Sequence, residues 1–190
     1  AYDWNPAGCV ETNLDGRLRH YSAFADINLG GIIEFALTNG VNRKTGRKVA
    51  TETGDPTTFE TYEDFENAVK EQLKYSVRIC VKGSHIIDDI CMDRIVPALS
   101  LSFRECVKNA KDYAWGGAKY NTGNGIILIG VADLINSMEA IRDLVYDRKL
   151  VSMEDMVKAL DADFEGYEEI QKLCKESHKY GNDDDDVNDI

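Results

Sequence analysis

Cys9 and Glu11, in the string Gly8-Cys9-Val10-Glu11, are the two residues best spaced to do chemistry together. On an extended or looped backbone, residues i and i+2 point the same way, so one small molecule can meet both side chains. A carboxylate beside a thiol raises the thiol pKa and disfavours the thiolate. That suits a nucleophilic cysteine badly, because a nucleophile needs histidine or a cation nearby. It suits a cysteine that stays S–H and carries a hydrogen atom, with Glu11 acting as base on a neighbouring O–H. On four residues alone the ordinary alternative, a buried cysteine and an exposed glutamate, stays open.

Other candidate constellations are weaker. Gly116-Gly117-Ala118-Lys119-Tyr120-Asn121 and Gly123-Asn124-Gly125 form a glycine-rich loop. A dinucleotide fingerprint follows a strand and needs G-x-G-x-x-G, whereas these glycines precede an apolar run and Leu128 stands where the third glycine belongs. The expectation is a loop passing close to other backbone. His85 and Asp89 lie four apart on an expected helix, with Asp88 and Cys91 near, but no second cluster has ligand spacing, and a surface histidine is expected. His20 and His178 are isolated, and Asp183 to Asp186 lacks the Gly and Glu of a calcium loop. No metal or bound cofactor is expected in this chain. Cys80, Cys91, Cys106 and Cys174 read as small buried hydrophobes.

The elements that must position Cys9 and Glu11 follow from pattern. Residues 1–26 read as irregular, with Arg17 to Phe24 loosely alternating. Asn28 to Asn39 reads as a short buried helix with Gly40 just past its end, and Val41 to Phe59 as a loop. Thr61 with Asp64 resembles a capping box. Tyr62, Phe65, Val69, Leu73, Val77 and Cys80 then recur at helical steps. Gly83 is a candidate kink or end, and the pattern resumes from Ile86 towards Pro97. Ala98 to Leu101 reads as a buried strand and Ser102 to Ala110 as helix. Ile126 to Ile129 reads as a fully buried strand, and Val131 to Val145 as a strong helix. Ser152 with Asp155 caps another helix, and Tyr167 to Lys175 forms one more. Helices are many and strands few, an α/β pattern with too few strands to close a sheet alone.

Composition narrows the classes. The chain has 190 residues, 43% hydrophobic and 29% charged, with a formal net charge of −12. About 150 residues per domain predicts a single domain, and disorder along the whole chain is not expected. So acidic a chain is a poor fit to nucleic acid, whose binding runs on Lys and Arg. No run of 18 apolar residues predicts a membrane span. The N-terminal string lacks signal-peptide features. Five irregularly spaced cysteines suit free thiols in a reducing cytoplasm. The chain opens on Ala1 rather than Met, which reads as a start inside something longer.

Six strings in register resemble one family, the glycyl radical enzymes related to pyruvate formate-lyase, in the branch that eliminates water, amines or similar groups from small polar substrates. They are Gly8-Cys9-Val10-Glu11, Thr53-Gly54-Asp55-Pro56, Gly116-Gly117-Ala118-Lys119-Tyr120-Asn121, Asp133 to Val145, Phe164-Glu165-Gly166-Tyr167-Glu168, and Lys179-Tyr180-Gly181-Asn182-Asp183-Asp184. The resemblance implies part of a ten-stranded α/β barrel, helix-rich and starting at the cysteine loop (residues 5–16). Residues 1–190 would be the C-terminal half of the barrel domain, without the upstream half or the glycyl radical domain. It implies Cys9 as the thiyl residue and Glu11 as the base. Thr12-Asn13 replaces the Pro that most dehydratases carry after the glutamate, and the Glu-Thr form is similar to the hydroxyproline dehydratases.

The implied reaction is radical elimination in an anaerobic setting. A glycyl radical, on a segment this chain lacks, takes the hydrogen atom from Cys9. The thiyl radical takes one from a substrate carbon bearing a hydroxyl or amine. Glu11 handles the heteroatom proton, the adjacent leaving group departs, and Cys9 returns the hydrogen. The implied partners are a small-molecule substrate, an activating enzyme that uses S-adenosylmethionine and an iron–sulfur cluster, the remaining segments of the enzyme, and a second copy in a homodimer. Alternatives are a glycyl radical decarboxylase of an arylacetate and a non-catalytic chain that completes a larger assembly. Alone, the chain is expected to be inactive.

Overall fold

The computed structural model describes residues 4–7, 11–182 and 187. Trp4–Ala7 (β1) and Glu11–Leu14 (β2) form an antiparallel hairpin in which Trp4 faces Leu14, Asn5 faces Asn13, Pro6 faces Thr12 and Ala7 faces Glu11. Leu18–Asn28 (β3) follows. The segment expected to be irregular thus holds two short strands and most of a long one. Pro6 is tolerated because β1 is an edge strand, and the shortness of the two hairpin strands hides their alternation.

β3 pairs with Tyr120–Ile129 (β4). Tyr120 N donates to Arg17 O at 2.9 Å and Thr122 Oγ1 to Arg19 O at 3.4 Å. These contacts advance together along both segments, the sense of a parallel pair, which needs a long crossover. Gly123, Asn124 and Gly125 lie inside β4 rather than in a loop, because pairing with β3 overrides the weak strand preference of glycine. Ile126 to Ile129 is strand as expected, but Leu128 and Ile129 are about half exposed, at 49% and 51%.

The helices follow their sequence signals closely. Asn28 Oδ1 accepts from Gly31 N at 3.2 Å and starts Leu29–Leu37 (α1). Thr61 and Asp64 cap Tyr62–Met92 (α2) reciprocally, with Asp64 N to Thr61 Oγ1 at 3.2 Å and Thr61 N to Asp64 Oδ2 at 2.9 Å. The Thr61 hydrogen bonds hold the Asp64 carboxyl below its ordinary pKa. α2 runs unbroken through Gly83. Pro97–Ser100 (α3) is a single helical turn, which corrects the expected strand over Ala98 to Leu101. Its proline opens a helix as well as it ends one, and Leu99 and Leu101 are exposed. Arg104–Asn109 (α4), Val131–Ile141 (α5), Met153–Asp161 (α6) and Glu168–Glu176 (α7) follow. A π-helical turn over Arg142–Asp147 extends α5.

The chain divides into two units: residues 1–27 with 78–127, and residues 28–77 with 128–190. In the second, Phe65 is wholly buried, and so is the side chain of Gln72. Gln72 Nε2 donates to Thr51 O at 2.8 Å and Thr53 Oγ1 at 3.1 Å. Asn39 Oδ1 accepts from Thr53 N and Gly54 N at 2.8 and 3.0 Å. Two amide side chains therefore hold the Thr53-Gly54-Asp55-Pro56 string. Leu144, Val151 and Met156 form a buried cluster under Leu160, Ile170 and Leu173.

Candidate functional site

Glu11 opens β2, directly across from Ala7, the last residue of β1. Gly8, Cys9 and Val10 join the two strands and lie outside the described residues. The site is therefore built from the hairpin that carries this connection and from what holds the hairpin.

Strand alternation sorts the hairpin into two faces. Ala7, Glu11, Asn5 and Asn13 share one; Trp4, Pro6, Thr12 and Leu14 share the other. The second face borders a cleft of about 340 Å³ whose walls include Trp4, Thr12, Leu14, Leu18 and Tyr120, and which Asn13 also lines. Glu11, half-buried, lies on the opposite face from this apolar cleft. At the base of the hairpin, Asn5 Nδ2 and Asn13 Nδ2 both donate to Asp15, at 2.6 and 2.8 Å.

Below the hairpin, β3 and β4 are tied to α2. Arg19, 7% exposed, pairs with Asp88 at 2.9 Å and lies over the Tyr113 ring, 5.7 Å from its centroid. Asn124 Nδ2 donates to Ser84 Oγ at 2.6 Å. The Gly116-Gly117 turn delivers β4 to this position. A Cβ on Gly117 would sit 2.1 Å from Lys111 O, so only glycine lets these backbones approach so closely. Asn121 Nδ2 closes the turn on Gly116 O and Ala118 O at 3.2 and 2.9 Å. Gly117 makes the expected close backbone approach, whereas Gly116 serves the turn through its φ of +74°.

Among the described residues no group of three or more His, Cys, Asp or Glu is arranged to hold a metal. His85 and Asp89 are exposed, and Asp88 is engaged by Arg19. Of the other cysteines, Cys106 is buried and Cys80, Cys91 and Cys174 are half-buried. Burial pushes the Cys106 and Cys174 thiols up, which disfavours a nucleophilic role for either. Among the described residues no helix is long and apolar enough to cross a membrane. Sequence reasoning missed Asp15 and its two asparagine donors. The signal was an Asn-x-Asp step beside a turn glycine, Asn13-Leu14-Asp15-Gly16.

A Gly-Cys-Val-Glu string at the joint of a hairpin, followed by a strand pair with a long, helical crossover, fits one class: the partial α/β barrel of the glycyl radical enzymes. Residues 1–190 match the model of the pyruvate formate lyase-like family, and the chain belongs to that family. It is 39% identical over 186 residues to trans-4-hydroxy-L-proline dehydratase of Clostridioides difficile, covering 97% of this chain and 23% of that protein. It is 30% identical over 187 residues to isethionate sulfite-lyase of Desulfovibrio desulfuricans, covering 97% and 22%. The crystal structure of the Clostridioides difficile hydroxyproline dehydratase with trans-4-hydroxy-L-proline bound superposes with a TM-score of 0.93 at 37% identity, over 98% of this chain and 24% of that one. The chain thus spans about a quarter of the length of the relatives it matches.

Proposed function

We propose that this chain supplies the cysteine loop, residues 5–16, of a glycyl radical lyase that eliminates water or a similar group from a small polar hydroxy or amino substrate. Residues 1–190 are the part of the barrel domain that begins at that loop, and the glycyl radical is carried on another segment. An activating enzyme that uses S-adenosylmethionine and an iron–sulfur cluster installs it. The observation that carries the reading is the 39% identity to a hydroxyproline dehydratase across nearly the whole chain. The position of Glu11 beside the Gly8-Cys9-Val10 connection supports it.

The glycyl radical supplies the unpaired electron. Cys9 gives up its S–H hydrogen atom and then takes one from the substrate carbon that bears the retained hydroxyl or amine. Glu11 accepts the proton from that heteroatom as electron density builds on the carbon. The neighbouring C–X bond breaks and X leaves with its electron pair, so loss of hydroxide together with the proton amounts to loss of water. Cys9 then returns its hydrogen atom to the carbon that lost X. The protein contributes position and exclusion of water. The relative named for trans-4-hydroxy-L-proline makes a hydroxylated amino acid the first substrate class to try.

The test is label transfer in the activated enzyme, with trans-4-hydroxy-L-proline deuterated at the carbon to be attacked heading the substrate panel. The expected product carries deuterium on the adjacent carbon, moved there through Cys9. Elimination with the label lost to water, or left in place, contradicts the mechanism.

A further inference from the structure

We propose that Asp15 is a positioning residue, which locks the register of the β1–β2 hairpin and so fixes the face on which Glu11 is presented. The inference rests on the reading of Cys9 and Glu11 above and adds the residue that aims them.

Asn5 and Asn13 stand directly opposite each other in the hairpin, and each donates its side-chain amide to a different oxygen of Asp15, at 2.6 and 2.8 Å. One carboxylate thus bridges both strands. The bridge is specific to this register. Side chains alternate across a strand, so a one-residue slip turns every side chain of the slipped strand to the other face. After such a slip Asn5 and Asn13 point apart, and Asp15 cannot hold both. The same slip would move Glu11 relative to Ala7, and with it both ends of the connection that contains Cys9.

Asp15 is also well placed to transmit stiffness from the body of its unit. Arg17 N closes the turn on Leu14 O at 3.0 Å, and Arg17 O accepts from Tyr120 N of β4 at 2.9 Å. Between them Gly16 has φ of +65°, and a Cβ there would sit 3.1 Å from Ser102 O. The turn is therefore tied to β4 and runs close to the Ser102 carbonyl. Asn13 is two residues from Glu11 on the same face, about 7 Å along the strand.

Short strands hold register weakly by apolar contact alone, and Trp4 is more than half exposed, at 58%. A charge-assisted bridge is the stronger device here. Displacement of a reacting group by about 1 Å costs up to about a hundredfold in rate, so loss of the bridge should register in turnover rather than in substrate affinity.

The test uses the assembled, activated enzyme with Asp15→Asn and with the double exchange Asn5→Asp/Asp15→Asn. Asp15→Asn leaves one acceptor for two donors. The double exchange restores a complete set, because the new amide donates to residue 5 and still accepts from Asn13. Expected for Asp15→Asn is a fall in kcat of about tenfold or more, with KM within about twofold and the glycyl radical signal unchanged. The double exchange should regain most of the loss. Amide hydrogen exchange over residues 11–14 should quicken in the single variant and slow again in the double. Turnover of Asp15→Asn within twofold of the parent overturns the proposal, as does a double exchange as slow as the single. If Asp15→Asn does not yield folded enzyme, Asn5→Ala, which removes one donor, is read by the same criteria. Hydrogen exchange reports the bridge whatever the chemistry, whereas failure of the Cys9 reading shows as turnover by Cys9→Ala.

Discussion

At the scale of single residues the account turns on a thiol and a carboxylate in one loop. Glu11 is placed by backbone pairing with Ala7 and shares a face with Asn5 and Asn13. Its assigned task is to move one proton, a role that contributes about a hundredfold to ten-thousandfold in other enzymes. Glu11→Gln keeps the size and most of the polarity of the side chain and removes the base. Steady-state kinetics should show kcat lower by about a hundredfold or more, with KM little changed. A Glu11→Gln enzyme with parental kcat would remove Glu11 from the mechanism. The pair Cys9 and Glu11 was singled out by its spacing, and its proposed roles come from the family resemblance rather than from the spacing alone. Asp15 was not, because its role depends on which residue of β1 faces which residue of β2.

Among elements, the best-specified piece is the N-terminal part of α2. Phe65 and Gln72 are buried together in the second unit, and Gln72 satisfies Thr51 O and Thr53 Oγ1. Gln72→Ala leaves the Thr51 carbonyl without this donor and opens a void. A loss of about 1–3 kcal/mol is expected from the unsatisfied partner alone. It should appear as a lower denaturant midpoint with unchanged secondary structure at zero denaturant, and a midpoint equal to the parent's would contradict it. The helices were readable because caps and 3.6-residue periodicity are local: Thr61 with Asp64, and Ser152 with Asp155, sit where the sequence places them. The strands were readable only in part: Ile126 to Ile129 stood out, but β1 contains a proline and is only four residues long, and the rest of β4 contains two glycines and is held by β3, a partner about a hundred residues away. Ala98 to Leu101 misled in the other direction. Its apolar run looked like a buried strand, but Pro97 starts a helical turn and two of its leucines are exposed.

For the molecule as a whole, fold and family agree. A two-stranded sheet, β3 with β4, does not make a barrel, yet the described chain superposes on a hydroxyproline dehydratase with a TM-score of 0.93. That barrel fold was recognisable from six strings in order. Nothing in periodicity or composition would have supplied it, since the strands that pair within it are far apart in the chain. The −12 charge makes the chain a poor fit to nucleic acid and indicates no particular activity. The proposed function rests on the cysteine loop. The decisive measurement is Cys9→Ala in the assembled enzyme after activation, read by electron paramagnetic resonance and by product formation in the same sample. The account predicts a normal glycyl radical signal and no turnover; turnover at a parental rate with the radical present would contradict it.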